Sequence, residues 1–266
     1  MFETYTALFN QRGHLYHQAM KTFPDARMAE FNAVISWLDL SAGMSICDVP
    51  SGGGYLSNFI LDNNITFNFV ETSQVFANAA QNLCDDNEQK NGSGKTIYNN
   101  VSCDSIADIP LKDSVVDRVI SLSGLHHESN TLGFYKEASR LLTDDGFLVV
   151  ADVRQGSGVD TFLNQFVDQH SSMGHEGRFF CKQTLLDIER CGFDIVDSRV
   201  ENYTWDFSSS DEMVNYCKML FGIDQADDKL ILQGISDCLG YTELENTCLM
   251  NWELMFIKAS KATFTG

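Results

Sequence analysis

The segment Met44-Ser45-Ile46-Cys47-Asp48-Val49-Pro50-Ser51-Gly52-Gly53-Gly54 decides how the chain is read. Residues 44–49 form a short apolar run that suits a buried strand. Glycines after such a strand let the backbone approach a ligand closely, and the helical stretch expected at 55–61 would present free N–H groups at its start. A Gly-rich turn also serves simply to reverse the chain, so its surroundings must add weight. Seventeen residues after Gly54, Glu71 stands at the end of a second strand expected at 66–70. A carboxylate there can accept hydrogen bonds from two ribose hydroxyls, which favours a nucleoside ligand over a purely structural turn.

Outward from that segment the pattern alternates. On the N-terminal side, Met28, Phe31, Ile35 and Leu38 recur at helical spacing after the start signal Pro24-Asp25. On the C-terminal side a helix is expected from about Ser73, with strands at 97–101 and 115–122. Leu132, Tyr135, Ala138 and Leu142 mark a helix that should stop at Asp144-Asp145-Gly146, before a fifth strand at 147–151. A helix at 159–170, a loop at 171–178 and a helix at 184–191 follow. The last two strands are expected at 193–200 and 252–259, separated by helices near 211–221 and 228–239. Short strands alternating with helices mean a mostly parallel sheet covered on both faces.

Composition removes several classes. The 266 residues are 44% hydrophobic with 19 Phe, ample for a core, and no apolar run reaches the length of a membrane span. The N-terminus MFETYTALFNQRG lacks a basic-then-apolar leader, so a cytoplasmic protein is expected. Eighteen Lys and Arg against 37 Asp and Glu give a net charge of −19, which argues against nucleic acid and anionic membranes as partners. The eight cysteines form no CxxC pair, and His14 and His17 have no second pair to complete a site, so no metal is assigned.

The ordered motifs give the chain a resemblance. It resembles class I S-adenosylmethionine-dependent methyltransferases of the small-molecule, methyltransferase-11-like kind, over about residues 44–200 and again at the final strand. Asp48, Gly52 and Gly54 match the family's glycine motif, with Pro50 where the first glycine usually stands. Proline fixes φ near −65°, so it fits only if that position needs no positive φ. The resemblance implies that Glu71 meets the ribose, that Asp104 and Ser105 in Ser102-Cys103-Asp104-Ser105-Ile106 meet the adenine, and that Thr72, Ser121 and Tyr16 contact the cofactor. Asp117 reads equally well as a structural residue at the strand edge. The segment 116–122 with Leu125-His126-His127, and the run from Phe134 to Leu148, resemble the family's fourth-strand and fifth-strand motifs.

The resemblance implies a Rossmann-like α/β fold, a seven-stranded mostly parallel sheet with helices on both faces and a helical cap. The whole chain, 1–266, is expected to be one domain: an N-terminal helical cap at 1–40, a core at 41–207 and 248–260, and a helical lid at 208–247. The cofactor is S-adenosyl-L-methionine, with S-adenosyl-L-homocysteine as product. The acceptor is read as an oxygen or nitrogen of a small organic metabolite. Alternatives are a protein or carrier-bound acceptor, or a non-methylating protein that binds the same cofactor. A carrier would require a local basic patch, for which Arg12, Lys21 and Arg27 are candidates. His127 and His126 follow the fourth strand on the ligand face and are the candidate catalytic residues. His175, Glu176 and Arg178 lie in the loop 171–178, where Gly174 and Gly177 flank the His-Glu pair; the loop should overhang the same face, and these residues are candidates for substrate binding. The inserted segments are too long for simple connections and should enclose a pocket, although a dimer interface would bury them equally well; the oligomeric state stays open.

Overall fold

Strand alternation distributes the core. Ile46 points to one side of the sheet and Cys47 to the other, and each is fully buried. In a computed structural model, which describes residues 4–60, 64–90 and 96–262, two helices come first, α1 (Tyr5–Thr22) and α2 (Met28–Leu38). The sheet then forms from β1 (Ser45–Asp48), β2 (Thr66–Glu71), β3 (Ile97–Ser102), β4 (Val116–Leu122) and β5 (Leu142–Asp152), all parallel in the order β3-β2-β1-β4-β5. On one face Ile46, Phe67, Phe69 and Ile120 pack with Val34 and Trp37 of α2 and Ala80 of α3 (Gln74–Lys90). On the other, Cys47, Val70, Val119 and Leu148 pack with Phe134 and Ala138 of α4 (Thr131–Leu141) and Ile188 of α7 (Lys182–Arg190).

Several boundaries move. Residues 55–61 are not an α-helix: a 3₁₀ turn covers Tyr55–Phe59, and Leu61 lies outside the described residues. β5 begins at Leu142, directly after α4, because Leu142 pairs Val116 before the ladder shifts to Phe147 opposite Arg118. The expected helix at 159–170 consists of α5 (Gly158–Thr161), a π-helical turn Phe162–Val167 and α6 (Asp168–His170). Such π turns redirect side chains and often lie at functional sites.

β6 (Phe193–Phe207) and β8 (Thr247–Lys261) run antiparallel over fourteen partnered pairs, and β8 inserts between β5 and β6. Both are about twice the expected length. Residues 202–206 alternate polar and aromatic, the pattern of a half-buried strand, and they pair with 249–253 of β8. The segment 208–247 holds α8 (Ser210–Phe221) and α9 (Asp228–Cys238) but ends in β7 (Tyr241–Leu244), a hairpin partner of β8. The sheet of the described residues therefore has eight strands rather than seven. None of the described helices is long and apolar enough to cross a membrane.

Candidate active site

Three structural devices shape the carboxyl end of the sheet. β1 delivers Asp48, 3% exposed, to the base of the loop. The positive φ values fall on Gly52, Gly53 and Gly54, while Pro50 has none, so the motif tolerates proline at its first position. Gly124, after β4, admits Pro50 closely: a Cβ there would meet the proline Cγ at 2.5 Å. The loop is thus held down from the neighbouring strand end, and within it the Ser51 N–H donates to the Val70 carbonyl at 3.1 Å and the Gly54 N–H to the Ser51 carbonyl at 3.0 Å.

Glu71 closes the second side. Its carboxylate accepts from the Gly52 N–H, from the Ser51 hydroxyl at 3.2 Å, and from the Tyr5 hydroxyl at 3.2 and 3.3 Å. Burial pushes its pKa up to about 8, against those hydrogen bonds, which pull it down. Burial also raises Asp48, reinforced by the neighbouring Glu71 charge. Glu71, Thr72, Ser102, Cys103 and Asp104 line a shallow groove. The Thr72 hydroxyl accepts from Thr6 at 2.8 Å, so the first turn of α1 lies over this groove.

A second cavity opens beside the loop. Phe9, Tyr16, Arg27 and Ser123 line both it and the space against Pro50 and Gly52. Its far wall is His126, His127 and His175, all buried, with ring centroids 4.1 to 5.6 Å apart. His126 is oriented by Asp152: the backbone N–H donates to Oδ2 at 3.1 Å and Nδ1 lies 2.7 Å from Oδ1. A carboxylate accepts only, so Nδ1 carries the proton and Nε2 keeps a lone pair. His175 is set by the π turn. Asn164 Oδ1 accepts from the Gly177 N–H and its amide donates to the Gly177 carbonyl, which fixes the amide orientation. His175 Nδ1, 3.0 Å from that Oδ1, must therefore donate, leaving Nε2 as the acceptor. Burial lowers the pKa of both His127 and His175 well below the usual value, with further repulsion from His126 and Arg12. These two imidazoles are neutral at pH 7.

A buried polar network stands opposite. Arg27 pairs with Glu30, donates to the Tyr16 hydroxyl at 2.7 Å, and Glu30 accepts from Trp205 Nε1 at 2.8 Å. Burial works against the Arg27 charge, but Glu30 outweighs it and holds the guanidinium protonated. Arg12 and Arg27 are both buried, so they do not form the surface patch with Lys21 that their spacing in sequence offered.

Asp48, Pro50, Gly52 and Tyr16 line the cavity at the loop, Glu71, Thr72 and Asp104 the adjoining groove, and His126, His127 and His175 the second cavity. Gly54 is set back, with its Cα toward the Phe69 ring. Ser105 is exposed and its hydroxyl turns back to the Ala107 N–H. Ser121 shares the Val119 side of the sheet, toward α4, and lines neither cavity, where Leu122 and Ser123 stand instead. Glu176 and Arg178 are exposed and also line neither. Sequence reasoning passed over Asp152, Asn164, Arg27, Glu30 and Trp205 as site residues. Only Asp152 carried a signal, as an acid ending a strand beside the histidine pair.

Residues 47–150 match the family model described as "Methyltransferase domain". No curated protein matches the sequence. Among solved structures, a Bacillus halodurans protein assigned as a methyltransferase aligns over 88% of this chain and 100% of its own, at 17% identity and TM-score 0.61. An S-adenosylmethionine-dependent methyltransferase of Thermotoga maritima aligns over 97% and 99%, at 17% identity and TM-score 0.58. A phosphoethanolamine N-methyltransferase of Haemonchus contortus, with phosphomonomethylethanolamine and S-adenosylhomocysteine bound, aligns over 98% of this chain and 60% of its own, at 14% identity and TM-score 0.62. Loop, acid and strand order agree with the family match, and residues 47–150 are a methyltransferase domain of the class I, S-adenosylmethionine-dependent kind.

Proposed function

We propose that the enzyme methylates an oxygen or nitrogen of a small organic acceptor held in the histidine-walled cavity. The observation that carries this reading is the lining of that cavity. Phe9, Arg12 and Tyr16 come from α1, Leu163 and His175 from the segment after β5, and Leu220 and Phe221 from α8. Three inserted segments thus converge on one space, apolar at Phe9, Leu163, Leu220 and Phe221 and polar at the histidine wall and the two arginines, which suits a small polar molecule and obstructs a polymer.

S-adenosylmethionine supplies an electrophilic methyl group on a sulfonium. Glu71 fits its ribose because its two oxygens already accept from the hydroxyls of Tyr5 and Ser51, the donor chemistry of a diol. Asp104 and Thr72, on the groove beyond Glu71, would meet the adenosine side, while the Gly52 backbone and Asp48 would serve the loop side. Methyl transfer disperses charge, so positioning and exclusion of water contribute much of the acceleration. The acceptor's proton leaves toward the histidine wall, where His126 Nε2 has the lone pair and Asp152 stabilises the charge that develops, as in other carboxylate-oriented imidazoles. His127 and His175 shape the same wall.

The test is turnover of the methyl donor to S-adenosylhomocysteine with a fractionated metabolite extract. Methylation confined to the small-molecule fraction is the expected result. Methylation confined to the protein fraction would overturn the acceptor class. Failure of the purified protein to bind S-adenosylhomocysteine would overturn the assignment of the loop.

A further inference from the structure

We propose that His126, His127 and His175 form a binding site for one divalent transition-metal ion of the zinc type, with its open position facing the acceptor cavity. One ring nitrogen from each residue lies within 4.8 Å of the other two, and all three side chains are buried. Tetrahedral coordination at about 2.0–2.1 Å brings ligand nitrogens to about 3.4 Å from one another, so modest ring rotations close the site.

Outer-sphere contacts make this more than a cluster. Metal-binding imidazoles typically donate the other ring N–H to a carboxylate or carbonyl, which fixes the tautomer. Two of the three do so here: His126 Nδ1 to Asp152 and His175 Nδ1 to the Asn164 carbonyl oxygen. Both donors' acceptors are themselves pinned, Asp152 by the His126 and Val153 N–H groups and Asn164 by Gly177. The two Nε2 lone pairs are therefore left for a ligand at the wall. The sequence hides the set, because His175 lies 48 residues after His127, in a loop that only the π turn brings back to β4.

Three nitrogen ligands leave a fourth position for water or the acceptor. Imidazole ligands select zinc, copper, iron or nickel over magnesium and calcium. With the ion bound, an acceptor hydroxyl entering the open position would pass its proton to a metal-bound hydroxide, which would leave as water, and the three histidines would hold the ion that keeps the resulting oxygen at the cavity. The protein without metal keeps the His126 route. This inference rests on the reading of the cavity as the acceptor site, but metal binding is measurable without donor or acceptor.

The experiment titrates chelator-stripped, full-length protein with Co²⁺ followed by visible absorption, and with Zn²⁺ by calorimetry. One equivalent per chain is expected, with intense d–d bands of a four- or five-coordinate ion and no thiolate charge-transfer band. His175→Ala should lose at least tenfold in affinity, and Asn164→Ala about 10- to 100-fold, as outer-sphere substitutions do. His14→Ala/His17→Ala should bind as the parent does. Circular dichroism confirms that each variant is folded. No stoichiometric binding, a thiolate band, or an unchanged affinity in folded His175→Ala would overturn the metal site. S-adenosylhomocysteine calorimetry on the same stripped sample separates the two readings: donor binding without metal binding retires the ion alone.

Discussion

Glu71 titrates near 8 in the folded protein and near 4.3 as a free side chain, because burial favours its neutral form. Between those values the native state binds the extra proton. The stability that this group contributes is therefore complete below about 4.3 and is lost as pH rises through 8. Ribose hydroxyls donate best to the ionised form, so S-adenosylhomocysteine affinity should rise from pH 6 to about 8 and then level off. Calorimetry across that range checks it, and Glu71→Gln should flatten the profile. Glu71→Ala should weaken the same ligand at least about tenfold, since each charge-assisted hydrogen bond contributes about 1.5–3 kcal/mol. Wild-type affinity in a folded variant would remove Glu71 from the site. At the histidine wall, His126→Ala should lower turnover about 10²–10⁴-fold with donor affinity almost unchanged. Single-turnover kinetics on the identified acceptor would decide it, and near-native rates would make the wall structural. These roles were legible only in part. Glu71 announced itself by following a strand and a glycine loop at the right distance, whereas Asp152 and Asn164 act through partners that are distant in sequence.

Helix α1 is an element whose stability should differ from that of the core. Its first half rests on ring contacts of Phe9 with Tyr5, Phe76 and Tyr16, at centroid distances of 4.7 to 5.9 Å, in a small cluster apart from the two main ones, whereas Ala19 and Met20 of its second half belong to the larger core. Phe9→Ala should therefore speed amide exchange in residues 5–13 while moving the main urea transition little. Phe134→Ala, fully buried under β4 and β5, should instead cost about 3–5 kcal/mol globally. Exchange mapped by mass spectrometry tests the contrast, and uniform acceleration in Phe9→Ala would show α1 to be part of the cooperative core. Element type was legible where apolar spacing was regular, as in α2 and α8. It failed where tertiary pairing decides: the turn Glu245-Asn246 carries none of the usual hairpin signals, so β7 was hidden. The π turn likewise follows from packing, which helical periodicity does not encode.

For the molecule as a whole, order along the chain was enough to read a parallel sheet, because strands buried on both faces must be joined by covering helices. The antiparallel pair β6–β8 reaches past β5 and brings Trp205 and Trp252 to a centroid distance of 4.1 Å at the wall of the cavity. The net charge of −19 is a property of the entire surface, and its self-repulsion opposes compactness. Added sodium chloride should raise the thermal midpoint through screening, most steeply below about 0.15 M. A midpoint independent of salt in differential scanning fluorimetry would show that the carboxylates are spaced widely enough not to interact.

The Tyr5 hydroxyl on Glu71 stands where a ribose would have to be received. The donor thus competes with the protein's own first helix, and its apparent affinity is the intrinsic one multiplied by the fraction of molecules in which Tyr5 has let go. That fraction is set away from the donor, where Arg12 Nη1 ties α1 to the Leu220 carbonyl of α8 at 2.9 Å. Substitutions in the lid helix can therefore tune donor affinity without touching the donor, and Tyr5→Phe should tighten S-adenosylhomocysteine binding, as calorimetry would show. Because the same helix lines the acceptor cavity, occupancy of either site alters the other, and the order in which the two ligands bind becomes a property of α1.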